Sequence, residues 1–142
     1  DFGYVGDVDP SKIGSEEISV LLERGICPVF CAITHDGEGS LLNTNADTMA
    51  SSLAIAMTDK YNVRLVFCLE KDGVLLNKDD ASSIVPTITE KYFAQLLEEG
   101  IIEGGMIPKL ENAFAAINNG VSEVVIKHAR NLNNERGTTL VK

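Results

Sequence analysis

A short polar segment, Asn-Thr-Asn-Ala-Asp at residues 43–47, lies between two apolar patterns and constrains the fold more than any other feature. The pair Leu41-Leu42 leads into it as at the end of a buried strand or loop, and the apolar-periodic residues 49–57 that follow are typical of a helix. Thr44 followed by Asp47 is typical of a capping box, which satisfies free N–H groups of a first helical turn. The sequence therefore predicts a strand-to-helix transition, where ligands often bind in α/β proteins.

A second segment, Gly-Gly-Met-Ile-Pro-Lys at residues 104–109, begins another predicted helix. Pro108 would lie near the first turn, where its missing N–H costs least. Lys109 would lie beside the positive end of the helix dipole, an unfavourable place for a cation unless an anion binds there. Exposed N–H groups, glycine backbone and one lysine together indicate a phosphate site. An ordinary exposed lysine on a surface helix is the alternative explanation.

Apolar runs of strand length alternate with amphipathic helical patterns along the chain. This alternation predicts an α/β fold, a three-layer αβα sandwich with a mostly parallel sheet. Ligands in such sheets bind beyond the carboxyl ends of the strands, so we expect Asn43, Asp47 and Lys109 to face one crevice. Strands are predicted at residues 27–33, 63–69, 121–126 and 138–141, a small hairpin at 74–76 with 84–85, and helices at 15–25, 45–60, 89–100 and 108–120.

The chain is acidic, with a net charge of −9 from 21 acidic and 12 basic residues. This argues against partners that need a basic patch, namely nucleic acid and membrane surfaces. A nucleotide remains compatible with the charge, because a few cations can be concentrated in one site. The apolar runs are well short of the ~20 residues that a membrane span requires. The candidate cations for a nucleotide are Lys109, Lys127, His128 and Arg130.

Three cysteines, Cys27, Cys31 and Cys68, include no Cys-x-x-Cys pair and no histidine at zinc-ligand spacing. On the predicted strand at residues 27–33, Cys27 and Cys31 would share a face but lie about 13 Å apart. A disulfide tolerates at most about 7 Å between Cα atoms. We therefore predict three buried thiols, with no disulfide and no protein-held metal, as in a protein of the reducing cytoplasm.

Several blocks of the chain resemble the amino acid kinase family and occur in the family's order. They are residues 1–6, residues 43–47, Gly73, residues 104–109 and the closing pair Gly137-Thr138. The resemblance covers almost the whole chain and is greatest to the branch that phosphorylates N-acetylglutamate, in a form typical of Bacteroidetes-like bacteria. It implies the amino acid kinase or carbamate kinase-like sandwich, with an N-terminal acceptor-binding lobe and a C-terminal ATP-binding lobe. Residues 1–142 are expected to be the C-terminal nucleotide-binding portion, without the acceptor-binding lobe.

The resemblance also implies a role for each candidate residue. Lys109 would contact the ATP phosphates and stabilise charge during transfer, and Asp47 would orient Lys109 as the second catalytic residue. Asn43 would hold the acceptor substrate, and Asn45 would support the same loop. Mg²⁺ would be held mainly by phosphates and water. The nucleotide-binding residues would be Glu70, Gly73, Gly105, Met106 and Lys109.

Two features depart from the family's pattern. Leu69-Glu70 stands where the family usually has a Ser/Thr-Asp pair, and the segment at residues 127–136 looks short. The family's other catalytic lysine lies in the N-terminal lobe, so these residues alone are expected to bind nucleotide without catalysis. The resemblance implies a cytoplasmic enzyme of arginine biosynthesis, a homo-oligomer such as a dimer, with ATP and N-acetylglutamate as substrates. The alternatives are a kinase for another acyl-amino acid, such as N-succinylglutamate, and a non-catalytic nucleotide-sensing domain, against which the presence of both Asp47 and Lys109 argues.

Overall fold

The computed structural model of the protein describes residues 3–142, so Asp1 and Phe2 of the opening block lie outside the described residues. Two short 3-10 helices, Pro10–Lys12 and Ala129–Asn131, accompany the regular elements. The α-helices are α1 (Ser15–Glu23), α2 (Ala46–Ala56), α3 (Glu90–Glu98) and α4 (Met106–Asn118). The strands are β1 (Ile33–His35), β2 (Leu41–Asn43), β3 (Arg64–Leu69), β4 (Thr87–Ile88), β5 (Glu123–His128) and β6 (Thr138–Leu140).

Four strands form the main sheet in the order β3-β5-β6-β4. Strands β3 and β5 are parallel, with Arg64 opposite Glu123 and Leu69 opposite His128. The β4–β6 pair is also parallel, whereas β5 and β6 are antiparallel. The predicted α/β class with a mostly parallel sheet is therefore confirmed. Because β3 and β5 end side by side, the loops after Leu69 and His128 leave the same edge of the sheet.

The core lies between the main sheet and the helices, with α4 at its centre. Helix α4 packs against both α2 and β5, and Phe114 on α4 stacks on Phe93 of α3 with 5.5 Å between ring centroids. Burying one such side chain typically contributes about 1.5–3 kcal/mol. The buried residues of α4 are Leu110, Ala113, Phe114, Ala116 and Ile117.

Strands β1 and β2 form a separate two-stranded hairpin that leads into α2. The predicted strand at residues 27–33 is wrong, because only Ile33 of that segment is in a strand and the preceding residues are irregular. Val29 is 93% exposed and Phe30 is also exposed. A continuous apolar run encodes a preference for burial, but a strand also needs a neighbour to satisfy its N–H and C=O groups. Within residues 3–142, Ile33 pairs with Asn43 and the Ala32 carbonyl accepts the Thr44 N–H, but no strand pairs with residues 27–31.

The exposure of the cysteines also differs from the prediction. Cys27, Cys31 and Cys68 are free thiols, but all three are exposed, so their predicted burial is wrong. Cys27 and Cys31 lie in the irregular segment before β1, and Cys68 faces away from the core near the end of β3. Leu21 and Leu22 of α1 are exposed too, although periodicity places them on an apolar stripe. Among the described residues, no helix is both long and apolar enough to cross a membrane.

Candidate active site

Asn45 begins helix α2. Its side-chain Oδ1 accepts the backbone N–H of Asp47 over 2.9 Å and that of Thr48 over 3.1 Å. The predicted capping box is therefore wrong, because the cap lies one residue later than Thr44. Thr44 is instead buried, with its hydroxyl 2.8 Å from that of Thr34 in β1. Asn45 has extended backbone angles and a short side chain that reaches the free N–H groups directly.

Asp47 and Lys109 meet between the first turns of α2 and α4. The Lys109 Nζ donates to both carboxylate oxygens of Asp47, each over 2.6 Å, although the residues are 62 positions apart in the chain. The side chain of Lys109 is 13% exposed and that of Asp47 is 32% exposed. Each helix directs N–H groups and the positive end of its dipole towards this place. The pair is thus a partly buried, charge-assisted contact in a setting that favours added negative charge.

The ring of Phe67 lies beside the same ammonium group. The Nζ of Lys109 is 4.8 Å from the ring centroid of Phe67, a residue of β3 that is 5% exposed. This distance is typical of a cation–π interaction. The sequence reasoning missed Phe67, because a buried aromatic residue in a strand is ordinary and nothing local links it to a lysine 42 positions later.

Asn43, the predicted acceptor ligand, lies at the end of β2 and is exposed. Its backbone N–H donates to Tyr4 and its carbonyl accepts from Gly6, over 2.8 and 3.0 Å. These bonds fix the Asn43 backbone and leave its side-chain amide on the surface. The structure thus brings Asp47 and Lys109 into direct contact, whereas no hydrogen bond joins Asn43 to Lys109 within the described residues.

Two of the predicted nucleotide-binding residues, Gly73 and Met106, line one cavity of about 490 Å³. Its walls are the segment at residues 73–78 and the turn at residues 100–103 between α3 and α4. Lys78 and Glu103 form an exposed ion pair across these two walls, with 3.3 Å between Nζ and Oε1. Next to Met106, Gly105 has open space on the side where a Cβ would lie. The cavity thus lies beside the start of α4, the helix that carries Lys109.

Glu70, the other predicted nucleotide-binding residue, lines a second cavity of about 330 Å³ together with Asp72 and His128. Gly73 and Met106 do not line this second cavity, whereas Lys71 and Lys78 line both. Leu75 also lines both cavities, so they adjoin, and Glu70 lies in the cavity next to the one that Gly73 and Met106 line.

The loop between β5 and β6, residues 129–137, is held against the turn that follows β3. The Asp72 carboxylate accepts from Asn131 Nδ2 and Arg136 Nε, each over 2.7 Å. Lys127, which is 4% exposed, donates to the carbonyls of Asn131 and Asn134 over 3.1 and 2.7 Å. Lys127 is thus a structural cation of this loop, although it was a candidate nucleotide contact. No local sequence signal indicated Asp72 as the anchor.

Three comparisons bear on this site. The model of the amino acid kinase family matches residues 1–128. A curated protein named acetylglutamate kinase from Phocaeicola vulgatus is 49% identical over 142 residues, which are 100% of this chain and 54% of that protein. The solved structure of smu.665 from Streptococcus mutans UA159 superposes with a TM-score of 0.79 at 32% identity, over 98% of this chain and 51% of that one.

A second solved structure shows a likeness of fold alone. N-acetylglutamate synthase from Neisseria gonorrhoeae, complexed with coenzyme A and L-arginine, has a TM-score of 0.83 at 21% identity. The match covers 100% of this chain and 33% of that one. The chain spans about half the length of the curated relatives that it matches.

Proposed function

The chain belongs to the amino acid kinase family, and on this premise we propose that it is the nucleotide-binding portion of an acetylglutamate kinase. The full-length protein would transfer the γ-phosphoryl group of ATP to the side-chain carboxylate of N-acetylglutamate in arginine biosynthesis. The ion pair between Asp47 and Lys109, at the adjacent starts of α2 and α4, carries this proposal. A non-catalytic nucleotide sensor has no need of a lysine held by both oxygens of a carboxylate beside two helix N-termini.

The proposed reaction needs neutralisation of charge more than it needs a base. An oxygen of the acceptor carboxylate attacks the γ-phosphorus, the bond from phosphorus to the β–γ bridging oxygen breaks, and ADP leaves with the electron pair. The acceptor carboxylate is already ionised near pH 7, so no proton has to be removed. Lys109 would donate to oxygens on which charge develops, and Asp47 would keep its ammonium in place before they arrive.

Mg²⁺ supplies further charge neutralisation when it is bound with ATP. The described residues contain no group of three or more His, Cys, Asp or Glu side chains placed to hold a metal ion. A metal that is held mainly by phosphate oxygens and water fits such a chain, because Mg²⁺ retains several waters and needs few protein ligands. We therefore assign no protein ligand to it.

The cavity of about 490 Å³ is the proposed seat of the nucleotide. Its volume is within the range of about 300–1,000 Å³ that is common for small-molecule sites. Apolar side chains, including those of Leu75, Ile101 and Ile102, would contact the base. Gly105 and Met106 begin the helix that carries Lys109, and Met106 lines the cavity, so the phosphates would extend along the start of α4. We propose Glu70 as a residue of the outer rim, on the side of the second cavity.

The acceptor would bind beside Asn43 and Asn45. The side-chain oxygen of Asn45 already accepts two backbone N–H groups, so only its amide NH₂ is left for a substrate. The exposed amide of Asn43 has both a donor and an acceptor to offer. We therefore assign the direct contact with the acceptor to Asn43, and the support of the loop chiefly to Asn45.

In the full-length enzyme, a further lobe would cover the exposed apolar side chains within residues 4–41. Val5, Val29, Phe30, Ile33 and Leu41 are all exposed on this part of the chain. Because the chain spans about half the length of its curated relatives, we propose that an acceptor-binding lobe packs here. The full-length protein is proposed to be a cytoplasmic homodimer that uses ATP and N-acetylglutamate and binds neither nucleic acid nor membranes.

Steady-state kinetics of the full-length protein would test this function, with N-acetylglutamate and N-succinylglutamate as alternative acceptors. We expect ATP-dependent acyl phosphate formation, trapped with hydroxylamine, and a higher kcat/KM for N-acetylglutamate. A higher kcat/KM for N-succinylglutamate would show that this compound is the acceptor, with the same phosphoryl transfer. Calorimetry should detect binding of ATP to the 142-residue chain itself. Binding of ATP by a full-length protein that phosphorylates neither acceptor would establish the sensor in place of the kinase.

A further inference from the structure

We propose that Phe67 is a positioning residue for phosphoryl transfer, whose ring face holds the ammonium group of Lys109 while that group binds a phosphate oxygen. The inference rests on the proposed function, and it adds to the site a residue that makes no contact with substrate. Its basis is the distance of 4.8 Å between the Lys109 Nζ and the Phe67 ring centroid.

The ammonium group of Lys109 has three N–H donors. Two directions are occupied by the carboxylate oxygens of Asp47, each at 2.6 Å. The third N–H of Lys109 has no hydrogen-bond acceptor within residues 3–142. The ring of Phe67 lies beside the ammonium group instead. The lysine can therefore add one phosphate oxygen without first losing either bond to Asp47.

The two contacts of the ammonium differ in their dependence on angle. A hydrogen bond weakens steeply as its angle departs from linearity, whereas a cation is attracted to the whole face of an aromatic ring. As charge moves between the oxygens of the phosphoryl group, the angle of the bond from Lys109 to the phosphate would change while both bonds to Asp47 are kept. The Phe67 ring keeps its attraction at each of these angles, so it would hold the position of the charge.

Phe67 is well placed to be a fixed support. It lies in the middle of β3, opposite Ile126 of the parallel strand β5, and it is almost fully buried. A ring in such a position has few alternative rotamers, since protein cores are densely packed. An aliphatic residue would fill part of the space but would lack the negative face.

Fluorination of the ring tests the proposal, because it weakens the negative face with little change in shape. Mono-, di- and trifluorinated phenylalanine would replace Phe67 in the full-length protein by codon reassignment. We expect kcat to fall stepwise, to about one fifth with three fluorines, which corresponds to roughly 1 kcal/mol. The acceptor KM should change less than twofold. Phe93, which stacks on Phe114, is the matched control, and its trifluorinated form should keep the wild-type kcat.

A second measurement does not depend on kinase activity. In the 142-residue chain, the Cε protons of Lys109 should show an upfield ring-current shift in NMR spectra, and Phe67→Leu should remove it. If the wild-type protein phosphorylates neither acceptor, the proposed function fails. The ATP affinity of the fluorinated Phe67 variants is then measured instead, and it should fall in the same order as the number of fluorines rises. Absence of the ring-current shift, or equal values across the fluorinated series, would overturn the role of Phe67.

Discussion

Gly73 lies so close to Thr138 that a Cβ added at Gly73 would come within 2.6 Å of the threonine Oγ1. The same oxygen accepts the backbone N–H of Val74 over 2.8 Å, in a buried bond between residues 64 positions apart. Thr138 thus fixes one wall of the larger cavity to strand β6. This relationship gives Gly73 and Thr138, two members of the family-like blocks, a role in the packing of that wall.

Gly73→Ala should therefore destabilise the fold. The added methyl group would collide with Thr138 or displace the bond to Val74, and overpacking of this kind typically costs about 1–3 kcal/mol. Urea unfolding followed by circular dichroism would measure the loss. Gly105→Ala is the matched control, since a Cβ there meets nothing within 4 Å, and its unfolding free energy should be unchanged or slightly higher. Equal stability of the two variants would contradict the close packing of Gly73.

Asn45→Ala should loosen the start of α2. Its side-chain oxygen accepts two N–H groups of the first turn, and loss of such a cap typically costs ~1 kcal/mol. Asn45→Asp retains an accepting oxygen and should keep most of the stability. The same unfolding measurement distinguishes the two variants. A larger loss in Asn45→Asp than in Asn45→Ala would show that the side chain does not serve as a helix cap.

Lys127→Met should release the loop at residues 129–137. The change removes the ammonium that bonds to the Asn131 and Asn134 carbonyls, and hydrogen bonds to charged groups typically contribute about 1.5–3 kcal/mol. Hydrogen exchange of these loop amides, followed by mass spectrometry, should become at least about tenfold faster. Arg130→Met is the control, because Arg130 is exposed on the same loop. In this variant the loop amides should exchange at the wild-type rate. Unchanged exchange in Lys127→Met would mean that the Lys127 ammonium does not hold the loop.

Lys109→Ala and Asn43→Ala should affect different kinetic constants of the full-length protein. Loss of one preorganised charge typically costs ~3 kcal/mol in the transition state, so Lys109→Ala should lower kcat about a hundredfold. Asn43→Ala should mainly raise the acceptor KM, because an amide that holds substrate acts in ground and transition states alike. Lys91→Ala, on the exposed face of α3, should leave both constants unchanged. A kcat within about twofold of wild type for Lys109→Ala would exclude the charge-stabilising role.

Patterns within single segments allowed the local elements around the site to be predicted. The cap of α3 is where the sequence indicates, since Thr89 accepts the N–H of Tyr92 over 3.3 Å. The alternation of segments also predicted a mostly parallel sheet, and β3 and β5 form one of its parallel pairs. Such signals are reliable because capping and periodicity depend on residues a few positions apart. The cap of α2 was predicted one residue early, since Thr44 and Asn45 are both good capping residues.

Contacts between distant segments could be predicted from the sequence only in part. The meeting of Asp47 with Lys109 was expected because both begin helices at the same edge of an α/β sheet. Phe67 and Asp72 gave no comparable signal, because a ring beside a cation and a carboxylate beside an arginine depend on the relative positions of packed elements. The exposure of Cys27 and Val29 was mispredicted because apolar character specifies a need for cover without specifying what supplies it.

The uncovered apolar residues of 4–41 have a consequence for how this chain behaves in concentrated solution. Two forces act between copies, attraction of their apolar faces and repulsion from a net charge of −9 on each. The range of the repulsion shortens from about 10 Å in 0.1 M salt to about 3 Å in 1 M salt. Apolar attraction does not weaken in this way, so added salt shifts the balance towards self-association, and the 142-residue chain remains dispersed best in dilute buffer.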